Sequence, residues 1–111
     1  MKTYSLEDMT KGWFVGDFDP TALKTPHCEV GCKRYSAGDC EDRHVHRVAT
    51  EVTVILSGHA RMNGRDCPAG TVVVLDPGEA SDFAVSEDTI TVVVKTPSIP
   101  GDKYPAELPG T

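Results

Sequence analysis

No run of apolar residues in this chain approaches the ~18 that a membrane-spanning helix needs. Basic character is missing as well: Lys and Arg number 11 against 17 Asp and Glu, for a formal charge of −6. Such a balance leaves no cationic footprint for a nucleic-acid backbone, so neither nucleic acid nor membrane is an expected partner. Aromatic residues are few, at 6%. The opening "MKTYSLEDMT" carries acids and no apolar core, so it does not read as a secretion signal. The expectation is a cytoplasmic protein. With 111 residues, the chain suffices for one domain, 1–111, built around one core.

Also missing is any C-x2-C spacing, which argues against a structural zinc cluster at Cys28, Cys32, Cys40 and Cys67. If "CEVGC" is a strand, its two cysteines lie on one face about 13 Å apart, at ~3.3 Å per residue. A disulfide needs Cα atoms within roughly 7 Å, so this pair stays open. Reduced thiols follow.

Helix signals are thin, whereas strand signals are strong. "EVTVILSG" (51–58), "GTVVVLDPG" (70–78) and "TITVVVKTP" (89–97) are rich in β-branched residues and end at Gly or Pro. "KGWFVGDF" and "CEVGCKRY" are weaker strands of the same kind. Asn63-Gly64 within "RMNGRD" predicts a type I′ hairpin, and "DPGE" predicts a second turn. Single helical turns are expected at "SLEDM" and, capped by Asp19-Pro20, through "PTALK". Residues 97–111, with their several prolines, read as an irregular C-terminal arm. Short strands at near-regular spacing define an all-β sandwich or barrel. Several strands are apolar on both faces, "TVVVL" above all, which predicts that a second subunit covers the outer face in a homodimer.

The polar stretch that stands out is "HVHRVATE", 44–51. Two residues apart on a strand, His44 and His46 share one face, and Glu51 follows beyond a bend. Two neutral imidazoles and a carboxylate suit Fe, Zn, Mn, Ni or Co. Gly38, His44, His46, Glu51 and Gly58, at these spacings, resemble the first motif of the cupin superfamily, spanning 38–58. Gly70 and the "DPG" at 76–78 resemble the start of its second motif, 70–85.

The resemblance implies a small RmlC-like cupin, a jelly-roll barrel (double-stranded β-helix) of the kind loosely called mannose-6-phosphate isomerase-like. It implies one divalent metal ion per chain, with His44, His46 and Glu51 as ligands. The second motif departs from the pattern. Ser81 stands where most members carry histidine, and Val85 where asparagine is common. The fourth ligand is therefore open among water, Ser81, Asp82 and Glu79.

Open coordination positions would polarise a substrate oxygen or activate a bound water or dioxygen. The function expected is binding, or acting on, a small polar molecule that is carbohydrate-like or anionic. If the chain is an enzyme, it is a metal-dependent isomerase, epimerase or dioxygenase. The alternative is a non-catalytic binding or sensing protein with weak or no metal. Lys33, Arg34, Arg43 and Arg47 are candidates to hold an anionic group. His27, Tyr35 and His59 are candidate general acids or bases.

Overall fold

The computed structural model describes residues 1–106 and is built almost wholly of strands. The β-branched runs form the longest of them. In chain order these are β1 (Trp13–Gly16), β2 (Leu23–Lys24), β3 (Glu29–Tyr35), β4 (Cys40–Val45), β5 (Thr50–Ser57) and β6 (His59–Met62). β7 (Arg65–Pro68), β8 (Val72–Leu75), β9 (Ser81–Val85), β10 (Thr89–Thr96) and β11 (Tyr104–Pro105) follow. One sheet runs β2-β1-β3-β10-β5-β8 and the other β11-β4-β9-β6-β7. Between them sits a core of Ile55, Ala60, Met62, Cys67, Leu75, Phe83 and Val85, with Tyr35 and Val73 packed against it. Interdigitation of two inner faces is what makes a sandwich of such sheets stable.

Turn chemistry follows the sequence at the hairpin joining β6 and β7. Met62 pairs with Arg65, and Asn63 and Gly64 both take positive φ, 49° and 76°, as a type I′ turn demands. Helix is limited, among the described residues, to the 3-10 turns Leu6–Asp8 and Thr10–Gly12. The first falls on the expected "SLEDM" turn. The turn expected through "PTALK" does not form. There the chain is extended, with Ala22 N–H donating to Phe14 C=O and Leu23–Lys24 pairing alongside β1. Five residues gain too few internal hydrogen bonds to offset helix nucleation, whereas an open sheet edge satisfies them at once.

The C-terminal arm is less irregular than its prolines suggest. Tyr104–Pro105 adds to the edge of β4, opposite Val45 and His44. Ser98 Oγ donates to Glu29 Oε2 at 2.8 Å and accepts Asp17 N–H at 2.9 Å, tying the arm to both β3 and the segment after β1. Residues 107–111 of the expected arm lie outside the described residues. All four cysteines carry free thiols.

Register decides which side chains look inward. On β10, Val92 stands opposite Cys32 and Val54, and Val94 opposite Val30 and Val52. Val54 and Val52 in turn face Val72 and Val74 of β8. Two apolar rows thus cross four strands on the outer face, where Val72 and Val74 are 60% and 54% exposed. The inner face carries a polar row instead: Glu29, Lys95 and Glu51 are directly opposed.

Candidate functional site

That polar row opens on a cavity of about 250 Å³ between the sheets. Met62, Leu75 and Phe83 belong both to the core and to the cavity lining, so one wall is apolar. His44, His46 and Glu51 all line it, as their spacing predicts. β4 ends at Val45, so His46 stands one residue beyond the strand on which it was expected. It still faces the cavity, because the bend at 46–49 is held from behind. Asp102, from the C-terminal arm, accepts the backbone N–H groups of Arg47, Val48 and Ala49 at 2.8, 3.1 and 3.0 Å.

Both imidazoles are oriented by main chain. His44 Nδ1 lies 2.9 Å from the Asp42 carbonyl, and His46 Nδ1 hydrogen-bonds the carbonyl of Asp102. A carbonyl only accepts, so each Nδ1 carries the proton and each Nε2 of a neutral ring keeps its lone pair. The rings meet edge to face with centroids 5.2 Å apart. Nε2 of His46 lies 3.5 Å from Glu51 Oε1, within ion-pair distance, yet is buried with no hydrogen bond formed. The Glu51 side chain raises the His46 pKa; burial opposes this and the Asp102 carbonyl adds to it. For Glu51, burial is the largest influence and favours the neutral acid, but His46, Lys95 and His44 together outweigh it and hold the carboxyl below its ordinary range. Burial likewise opposes ionisation of Asp102, and the three backbone donors, Ala49 foremost, lower its pKa nonetheless.

The donor set fits a divalent cation in chemistry: two Nδ1-anchored imidazoles, a buried orphan Nε2 and an ionised carboxylate. As arranged, with His46 turned onto Glu51, no group of three His, Cys, Asp or Glu among the described residues is close enough together to grip one ion. All three residues nonetheless line the same cavity.

The candidates for a fourth ligand part ways here. Ser81 stands directly opposite His44 across β4 and β9 and lines the cavity, its hydroxyl donating to the Asp82 carbonyl at 2.7 Å. Asp82 also borders the cavity, but its Oδ1 accepts the Asn63 N–H at 2.8 Å and so caps the hairpin turn. Glu79 accepts the Asp76 N–H at 3.2 Å within its own turn and does not line the cavity.

Of the candidate acids and bases, Tyr35 alone lines the cavity. Its hydroxyl donates to Glu41 Oε1 at 3.4 Å, and burial, with the Glu41 carboxylate, pushes its pKa well above the usual range. His27 is exposed, and His59 pairs with Asp66 at 3.4 Å; neither borders the cavity. The arginines are elsewhere too. Arg43 hydrogen-bonds Asn63 Oδ1 at 2.8 Å, Arg47 stacks 3.8 Å from the Tyr104 ring, and Arg34 is exposed beyond the rim.

Sequence reasoning missed Glu41, Asp102 and three lysines. Glu41 and His44 are three apart, so strict alternation puts them on opposite faces. The register slips between them, however, so that they oppose Phe83 and Ser81, and both reach the cavity. Lys33 was foreseen; Lys11, Lys95 and Lys103 join it on the lining.

Two facing sheets with a polar cavity between them define the double-stranded β-helix class. No protein-family model matches the chain, and no curated protein matches it. Solved structures do. An uncharacterised conserved protein with a double-stranded β-helix domain, from Klebsiella pneumoniae, is 27% identical with a TM-score of 0.68, over 78% of this chain and 75% of that one. An RmlC-like cupin from Desulfovibrio desulfuricans is 20% identical with a TM-score of 0.62, over 68% and 77%. A sugar phosphate isomerase from a cupin superfamily, from Silicibacter pomeroyi, is 17% identical with a TM-score of 0.58, over 65% and 52%. Within that class the chain shares its fold with small bacterial RmlC-like cupins.

Proposed function

We propose that this chain binds one divalent metal ion through His44, His46 and Glu51 and uses it to bind, or act on, a small polar molecule in the barrel interior. The observation that carries the reading is the orphaned Nε2 of His46, buried beside an ionised Glu51 while its Nδ1 is fixed by the Asp102 carbonyl. A lone pair facing a carboxylate is repulsive unless a proton or a metal ion lies between them. When bound, the ion supplies Lewis acidity toward a substrate oxygen or water. The chain's own residues do the rest. His44 and His46 are held in one tautomer by main-chain carbonyls, and Met62, Leu75 and Phe83 keep water off one wall. The cavity is slightly smaller than the ~300–1,000 Å³ of drug-sized pockets, which favours a metabolite of modest size.

Tyr35 and Glu41 are the groups able to move a proton at the cavity wall. Tyr35 is a poor acid near neutral pH, since burial and the Glu41 carboxylate raise its pKa. That observation, with His27 and His59 lying elsewhere, favours a second reading: a non-catalytic binding protein. If the chain is an enzyme, isomerase, epimerase or dioxygenase chemistry suits the site. The solved structures that share the fold include a sugar phosphate isomerase, which supports the first two. The outer rows of valine support a homodimer formed through the β8 side of the large sheet. The free thiols favour a reducing cytoplasm. Among the described residues, no helix is long and apolar enough to cross a membrane. The net charge of −6 weighs against nucleic acid as a partner.

Protein purified without chelator or a His-tag should carry one ion per chain by plasma emission analysis. His46→Ala should bring this to background while the circular dichroism spectrum stays that of a β protein. Full occupancy in His46→Ala would refute the ligand assignment.

A further inference from the structure

Four of the chain's six lysines, and no arginine, line the cavity of a protein whose net charge is −6. They arrive from four separate segments: Lys11 from the 3-10 turn, Lys33 from β3, Lys95 from β10 and Lys103 from the arm. Lys95 is neutralised by Glu29, 3.2 Å away. Lys11, Lys33 and Lys103 form no ion pair among the described residues. Lys33 and Lys95 approach the same Trp13 ring, at 5.3 and 4.8 Å from its centroid. Burial lowers the Lys33 pKa; Glu41 opposes, and Lys11, Lys103 and Lys95 add to the lowering. Cations crowded this way destabilise one another until an anion joins them.

The cavity's carboxylates are spoken for. Glu51 faces His46, Glu41 accepts from Tyr35, and Asp82 accepts the Asn63 N–H. We infer that Lys11, Lys33 and Lys103 form an anion-binding subsite that holds the phosphate or carboxylate end of a small ligand whose other end reaches His44 and His46. Lysine is a compact point charge with rotatable donors, so a group of lysines can hold either a phosphate or a carboxylate without the planar geometry that an arginine fork imposes. This inference rests on the proposal that the cavity is the ligand site and gives that ligand its charge.

The test uses the full chain, dialysed against EDTA and then freed of it, at low ionic strength. Inorganic phosphate and malonate are titrated in separately and followed by amide chemical shifts. Wild type should bind at least one of them saturably, phosphate more tightly if the ligand is a phosphate ester, with shifts centred on residues around the cavity. Lys33→Gln should weaken binding roughly tenfold or more, the loss of one charge-assisted hydrogen bond, and Lys33→Arg should restore most of it. Lys103→Gln, at an exposed position, provides the same reading if Lys33→Gln does not fold. Lys24→Gln, exposed and paired with Asp19, should change nothing. No saturable binding of either anion, or an equal loss in Lys24→Gln, overturns the inference. Zinc titration of the same sample separates the two readings. Anion binding without zinc binding keeps the subsite and removes the metal site; zinc binding without anion binding does the reverse.

Discussion

Asp102→Ala should be among the costliest single changes in the chain, although the residue sits in its proline-rich arm. The side chain is 5% exposed and accepts three backbone N–H groups in succession. Ala49 is 2% exposed, so its N–H would be left without a partner or water, at about 1–3 kcal/mol. Arg47 and Val48 are exposed, so water replaces the carboxylate there at about 0.5 kcal/mol each. The expected loss is about 2–4 kcal/mol, a fall of about 1–2 M in the urea midpoint at unchanged slope. pH provides a second check. The folded pKa of Asp102 lies below its ordinary 3.8, so its contribution is fully present above that value and fades as pH falls through the lower one. The gap between wild type and Asp102→Ala should therefore be constant from pH 7 to about pH 5 and close only in stronger acid. A loss under about 1 kcal/mol, or a gap that widens as pH falls, would show that the three hydrogen bonds do not hold the bend. The backbone carbonyl that orients His46 survives in Asp102→Ala, but the bend that holds it in place is loosened, so the same variant should bind zinc more weakly, by up to about tenfold.

Two further outcomes can be checked independently. Gly58→Ala should cost more than about 3 kcal/mol in urea melts, because a Cβ there meets Thr89 Oγ1 and the Asp88 carbonyl at a φ of 87°. Gly38→Ala, at a similar φ of 92° but in open space, should cost only about 1 kcal/mol; equal losses would refute the steric argument. In light scattering, wild type should have twice the chain mass and Val74→Lys the monomer mass, because charge on the outer valine row opposes burial of ~1,000 Å² or more. A monomeric wild type at micromolar concentration would remove the dimer.

Local physics was legible in the sequence. β-branched runs bounded by Gly and Pro fell on β5, β8 and β10, and Asn63-Gly64 formed its hairpin, because backbone preference acts within a few residues. That His44 and His46 would face one cavity was legible from their spacing, although the bend held by Asp102 and not strand alternation places His46, and the five spaced residues from Gly38 to Gly58 pointed to the cupin fold. "PTALK" was misread for the converse reason: a weak local preference yielded to the open edge of β1. What only the tertiary structure decided was which distant groups meet. Glu41 enters the cavity through a register slip between two strands, which no single-strand pattern contains. Asp102 reaches back 56 residues to fix the ring of His46. Lys11, Lys33, Lys95 and Lys103 share a wall because the arm, two strands and a 3-10 turn converge there. Their separations in the chain carry no trace of it. Convergence is set by how sheets register and close, and that is a property of the packed whole.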